Sequence, residues 1–283
     1  MTVVTATQIK ELRDRTGVGM SKCKDALEEA KGDMELAISI LRKAGMASAV
    51  KKQGRETKEG QVCVKDAGDC VAVAEINAET DFVVKNDRFQ EFCKNILEEI
   101  ASTKPSSLES FMSQVYSKDP SITIDQYRSL IIQTIGENIQ ISRISVWPKA
   151  SGHSIGIYSH LGGKIVSCVE VSAPNQADFA KEIAMHAAAA APEYLAEKDV
   201  PAEVIEKEKE IGRSQIKDKP APIVEKIVDG KVKAYFETVC LVKQKYVKDS
   251  SQTVEAFVNQ KATEIGKPFT IVRFLRWMVG QAI

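Results

Sequence analysis

An α+β fold is predicted, with a helical N-terminal module, a core whose plan occurs twice, and a helical arm inserted in the second copy. Three observations carry this: the punctuation of the first fifty residues, the mixed strand and helix periods after residue 60, and the return of the 135–147 pattern at 265–277.

The N-terminal module reads as three short helices. Thr5 and Gln8 form a capping box with Val4 and Ile9 at staple spacing, and Gly17 closes the first helix. Cys23, Ala26, Leu27 and Ala30 mark one face of the second, which stops at Gly32. Asp33 caps the third, whose face is Met34, Ala37, Ile38 and Leu41 and whose end is expected near Gly45. Residues 51–60 are charged or small and contain no apolar side chain, the composition of a linker, so residues 1–54 are taken as a module of their own.

Residues 55–149 form the first core subdomain. A hairpin over 61–65 and 70–77 turns at Asp66-Ala67-Gly68-Asp69. A helix follows with Phe89, Phe92, Cys93, Ile96, Leu97 and Ile100 on one face, and helical stretches at 107–116 and 124–135 lead to a strand at 139–147. The second subdomain, 150–195 with 230–283, repeats the plan: a hairpin over 153–159 and 164–172 turning at Gly162-Gly163, then a helix around Phe179, Ile183 and His186. Its end matches the first copy by offset, Ile135, Gly136, Ile141, Arg143 and Trp147 against Ile265, Gly266, Ile271, Arg273 and Trp277. Between them, 196–229 is an insertion. Helices over 201–216 and 223–236, separated by Asp218-Lys219-Pro220-Ala221-Pro222, make an antiparallel arm the simplest geometry; its outer face either packs on a second subunit or another protein, or is solvated.

Composition restricts the partners. Lys plus Arg balance Asp plus Glu at 39 each, which argues against direct nucleic-acid or anionic-membrane binding. The most apolar stretch, 183–192, is too short to span a bilayer, and the N-terminus has no basic region leading into an apolar run, so the cytoplasm is the expected compartment. The six cysteines form no CxxC pair and lie away from histidines at zinc spacing; they are read as core thiols, with no metal site. No nucleophile, phosphate-loop or dinucleotide motif stands beside His153, His160 or His186, so no catalytic residue or cofactor is expected. The small residues 187–191 are read as letting two helices approach closely.

One apolar residue does not fit either period. Phe82, in Glu79-Thr80-Asp81-Phe82-Val83-Val84, falls in the connection between the 70–77 strand and the next helix. Either it tucks under its own helix or it fills a partner's pocket. The second copy makes the same connection in about 173–176, shorter and without an aromatic, which favours the partner.

These segments resemble the elongation factor Ts family, the guanine-nucleotide exchange factors for elongation factor Tu, over essentially the whole chain. The resemblance is carried by Glu11-Leu12-Arg13-Asp14-Arg15-Thr16-Gly17-Val18-Gly19-Met20 with Cys23-Lys24, by Gly32-Asp33, Thr80-Asp81-Phe82-Val83 and Ile135-Gly136-Glu137-Asn138-Ile139, and by Ile183-Ala184-Met185-His186. It implies a ubiquitin-associated-like (UBA-like) first module and a coiled-coil arm, used by some members to form homodimers or heterotetramers. It also implies no enzyme chemistry and a partner met both GDP-bound and nucleotide-free. By position, Thr80, Asp81, Phe82 and Val83 match the residues entering the partner's G domain near its magnesium and phosphate site. Met20 and Lys24 match N-terminal contacts, while Ile135, Gly136 and His160 match core contacts. Many members carry a further helical module after the final strand; this sequence ends at Val279-Gly280-Gln281-Ala282-Ile283. The rival reading is a dimeric scaffold or chaperone-like binding protein without exchange activity.

Overall fold

Capping chemistry places the first helices where the sequence puts them. In the structure, a computed structural model describing residues 4–216 and 220–281, Thr5 Oγ1 accepts from the Gln8 amide at 3.3 Å and Gln8 Oε1 accepts from the Thr5 amide at 3.0 Å, opening α1 (Ala6–Thr16). Gly17, at φ 68°, ends it. Helix α2 (Met20–Glu29) and α3 (Met34–Lys52), the latter capped by Asp33, close a small core of Leu12, Val18, Cys23, Leu27, Ala37 and Leu41. This helical region is part of the first unit, which runs to Pro148 and takes in the chain again from Met278.

Helix α3 corrects two expectations. It does not end near Gly45 but continues to Lys52, so Lys51 and Lys52 of the supposed linker form its last turn. Lysines sustain a helix and sit well at its negative C-terminal end. The linker's other end, Glu59 and Gly60, opens strand β1 (Glu59–Asp66). After it come β2 (Cys70–Ala78), α4 (Asp81–Val84), α5 (Asp87–Thr103), α6 (Leu108–Ser113), β3 (Val115–Tyr116), β4 (Asp119–Thr123), α7 (Ile124–Ile135) and β5 (Ile139–Pro148). The stretch 107–116, expected to be helical, therefore divides into α6 and β3, which pairs with β4 in a two-stranded ladder.

The three-stranded sheet is ordered β1-β2-β5, antiparallel throughout, with an irregularity in β5 opposite Glu75/Ile76. Helix α5 covers it with Phe89, Phe92, Ile96 and Ile100, all fully buried. Gly45 is where α3 crosses α7. A Cβ at Gly45 would stand 3.0 Å from Gln133 Oε1 and 3.4 Å from Leu130 Cδ2, so the glycine serves a close approach rather than a helix stop.

The second unit, Lys149–Trp277, repeats this plan. Its elements are β6 (Ser154–His160), a 3₁₀ turn over Leu161–Gly163, β7 (Ile165–Val171), α8 (Ala177–Ala190), α9 (Ala202–Ser214), α10 (Ala221–Val239), β8 (Lys245–Tyr246), β9 (Asp249–Thr253), α11 (Val254–Glu264) and β10 (Ile271–Met278), with the sheet ordered β10-β7-β6. The repeat holds to the level of register. Val115 faces Thr123 and Tyr116 faces Asp119 in β3–β4; Lys245 faces Thr253 and Tyr246 faces Asp249 in β8–β9. Tyr116 stacks on Tyr127 with ring centroids 4.4 Å apart, and Tyr246 stacks on Phe257 at the same separation. Buried Glu75 accepts from Arg143 Nε at 2.7 Å, and buried Glu170 accepts from Arg273 Nε at 2.5 Å.

The small residues of α8 make room for a sheet, not for a second helix as the sequence suggested. Ala180, Ala184 and Ala187 pack with Val169 and Val171, and a Cβ on Gly156 of β6 would lie 2.0 Å from the Lys181 backbone nitrogen. Helices α9 and α10 pack antiparallel: Arg213 binds Glu225 through two nitrogens at 2.9 and 3.1 Å, and Gly212 lies against the fully buried Val228. Helix α10 continues unbroken to Val239, so the arm boundary drawn at 229 falls inside a helix. Asp218 and Lys219 of the expected turn lie outside the described residues. Among the described residues no helix is long and apolar enough to cross a membrane.

Candidate functional site

Phe82 is not on an irregular loop, as the sequence suggested, but on the single helical turn α4. Thr80 caps that turn, its Oγ1 accepting from the Val83 amide at 3.4 Å. Val83 points inward and is buried, Val84 packs against the core, and Phe82 points outward with 81 % of its surface exposed. The ring thus stands on the surface while the residue after it is buried. Beside it, Asp81 pairs with Lys85 at 2.9 Å on the surface.

A clasp holds this turn to the junction between α7 and β5. The Glu137 carboxylate accepts from the Thr80 amide at 3.0 Å and from the Thr80 hydroxyl at 2.8 Å. In return, Glu79 Oε1 accepts from the Asn138 amide at 2.6 Å. Gly136, at φ 95°, ends α7 in the left-handed conformation that glycine adopts without strain, and its carbonyl accepts from Lys52 Nζ at 2.7 Å. Burial, then the neighbouring Arg55 and Lys22 charges, hold the Lys52 ammonium below the usual lysine range. Arg55 contributes its carbonyl to Asn138 Nδ2 at 2.9 Å and its guanidinium to Glu79 at 3.4 Å.

The N-terminal helices reach the same place. Arg88, in the first turn of α5, donates from Nη1 to the Gly17 carbonyl, which fixes the turn between α1 and α2. Met20, half exposed, opens α2 directly after that turn; Lys24, one turn on, is exposed and stands 3.6 Å from Glu28. Thr80, Asp81, Phe82, Val83, Ile135 and Gly136 are thus gathered by the clasp, and the Met20 turn is tied in through Arg88. His160 belongs to the second unit, at the exposed end of β6, where its Nδ1 lies 3.0 Å from the Tyr158 hydroxyl. Sequence reasoning did not single out Glu79, Arg88 or Glu137 as site residues. Glu137 stood within a quoted motif, but its partner is 57 residues away and no spacing shows that.

The cysteines are all buried and form no disulfide. Burial pushes the Cys168 thiol up to about 12 and the Cys240 thiol up to about 11, away from nucleophilic use. Among the described residues no cluster of three His, Cys, Asp or Glu side chains is placed to hold a metal.

A family model described as Elongation factor TS matches residues 79–281. The chain is 58% identical over 282 residues to Elongation factor Ts of Protochlamydia amoebophila (strain UWE25), covering 99% of this chain and 100% of the relative. The chain belongs to the elongation factor Ts family. It is also 42% identical over 273 residues to Elongation factor Ts of Chlamydia trachomatis serovar L2 and 43% identical over 273 residues to that of Chlamydia pneumoniae, each covering 96% of this chain and 97% of the relative. Membership implies the family's general role in protein synthesis, nucleotide exchange on elongation factor Tu.

Proposed function

We propose that this chain accelerates GDP release in the cytoplasm by seating Phe82 in an apolar pocket of elongation factor Tu, in a conformation of that partner that holds magnesium and the phosphates poorly. The observation that carries the reading is the 81 % exposure of Phe82 on a turn whose other side is buried and clasped. Burying a phenylalanine contributes about 1.5–3 kcal/mol. If that contact exists only in the exchange-competent state, it shifts the partner's equilibrium by roughly ten- to hundredfold, since a binder changes a conformational balance only by its preference for one state. Asp81 enters with Phe82; Ile135 and Gly136 border the same face; Met20 and Lys24 supply an N-terminal contact and His160 one from the second unit. This is binding work, with no bond made or broken. The α9–α10 pair, with Ile211 and Ile223 partly exposed, is the surface through which two copies associate into a homodimer or heterotetramer.

Labelled GDP on elongation factor Tu tests the reading. Phe82→Ala slows factor-stimulated release by at least tenfold while the unfolding midpoint stays near that of the unaltered chain. A large loss of stability would make Phe82 a core residue and remove the proposal.

A further inference from the structure

A four-residue helix does not hold itself together. Helix nucleation is unfavourable, and both i to i−4 bonds of the turn bearing Phe82 are long, Val84 N to Thr80 O at 3.4 Å and Lys85 N to Asp81 O at 3.3 Å, with only the bond from Asn86 N to Val83 O, at 2.9 Å, short at its end. What fixes it is Glu137. By taking the Thr80 hydroxyl proton on Oε1, Glu137 leaves the Thr80 oxygen lone pair directed at the Val83 amide, and it holds the Thr80 amide on Oε2. We infer that Glu137 is a positioning residue for exchange: it touches no nucleotide and sets the direction in which Phe82 is presented.

The second copy provides the comparison within the chain. In the alignment that superposes Asn77 on Ser172 and Arg143 on Arg273, the positions of Glu79, Thr80, Glu137 and Asn138 are taken by Pro174, Asn175, Lys267 and Pro268. The clasp cannot be rebuilt from these: two prolines replace a carboxylate and an amide donor, and a lysine replaces the second carboxylate, so Asn175 in the place of Thr80 has no carboxylate to meet. The second unit secures the same connection differently: Ser154 Oγ on β6 donates to the Ala173 carbonyl at 2.7 Å and accepts from the Gln176 amide at 2.9 Å. The fold is therefore complete without the clasp, and the clasp occurs in the copy that carries Phe82.

The inference rests on Phe82 being the entering residue, so the test uses Glu137→Ala, Phe82→Ala and the double variant of the full chain. Amide hydrogen exchange on the chain alone and stimulated GDP release from elongation factor Tu are both measured. Glu137→Ala loses amide protection at 81–85 but not elsewhere, keeps its unfolding midpoint, and stimulates release about tenfold less, the scale of a lost hydrogen bond to a charged group. In the Phe82→Ala background it has no further effect, because its action passes through that ring. Unchanged protection at 81–85, protection lost throughout the unit, or single effects that multiply in the double variant would each overturn the inference. If Phe82→Ala alone leaves release at the unaltered rate, the entering-residue reading fails and this inference falls with it. If Phe82→Ala slows release and Glu137→Ala does not, only the positioning role fails.

Discussion

Glu99 and His186 do the same work in the two copies: each is the buried side chain of the long helix that catches the small ladder beside it. Glu99 Oε1 accepts from the Ser117 amide at 3.2 Å and from Gln114 Nε2 at 3.3 Å. His186 Nδ1 accepts from the Val247 amide at 3.1 Å, and its Nε2 lies 2.9 Å from Gln244 Oε1. Gln114 and Gln244 are equivalent, as are Ser117 and Val247. His186 is thus a structural tie for the β8–β9 ladder.

The tautomer gives this tie a pH dependence. Gln244 donates through Nε2 to the Thr238 and Ala190 carbonyls, so its Oε1 is turned to accept from the ring, and the Val247 amide can only donate to Nδ1. The neutral ring with its proton on Nε2 satisfies both. Burial, opposed by the Gln244 bond, holds the His186 pKa below the ordinary histidine value. Because the unfolded chain then binds a proton that the folded chain refuses, stability is fully present above about pH 6.5 and is lost as pH falls toward the lower folded value. The Glu182 carboxylate, bonded by Lys248 and Tyr246, titrates below the usual carboxylate range and so contributes to loss only at more acid pH. Urea midpoints from pH 8 to pH 5 are expected to fall below pH 6.5, and His186→Asn to flatten that slope.

Gly156→Ala destabilises the second unit by at least about 1–3 kcal/mol, since the added carbon meets backbone of α8, which cannot swing aside as a side chain would. Thermal unfolding checks this, and a variant as stable as the unaltered chain would show that α8 does not rest on β6.

Helix α3 separates two truncations. Removing residues 1–32 leaves α3 on α7 and a core that folds. Removing 1–54 also takes away Ala49, the Gly45 crossing, the Arg42–Asp119 pair at 2.9 Å and the Lys52 bond to the end of α7. The longer deletion therefore unfolds at lower temperature than the shorter one, whereas equal midpoints would mean that 1–54 is an independent module after all.

Linkage sets a further expectation. A chain that weakens the partner's hold on GDP through a ternary complex is itself held less tightly in the presence of GDP, by the same factor. Titration calorimetry should show the tightest binding to nucleotide-free elongation factor Tu and a progressive loosening as GDP and magnesium are added. An affinity unchanged across the series supports a scaffold instead.

Local chemistry was legible in the sequence. The Thr5–Gln8 box, the Gly17 stop, the Asp33 cap and the apolar face from Phe89 to Ile100 each depend on neighbours a few residues apart. The misread places depend on distant ones. Gly45 looked like a terminator because its reason, the side chain of Gln133, is 88 positions away. The ladder of β3 and β4 has only two paired positions to declare it. At the site, Phe82 stood out because it broke the period, while Glu137 and Arg88 did not, since a charged residue near a helix end is unremarked until its partner is known.

The clasp also dates the site within the history of each molecule. Its bonds join residues 57 and 59 positions apart, across a sheet in which β2 must first pair with β5. Long-range pairings of this kind form after local helices. During synthesis the Phe82 segment leaves the ribosome well before Asn138 does, and until Glu137 and Asn138 arrive the clasp has no second half. If Phe82 is the entering residue and the clasp presents it, competence for exchange requires that the first unit has finished folding, and a chain stalled before residue 138 carries Phe82 without the clasp.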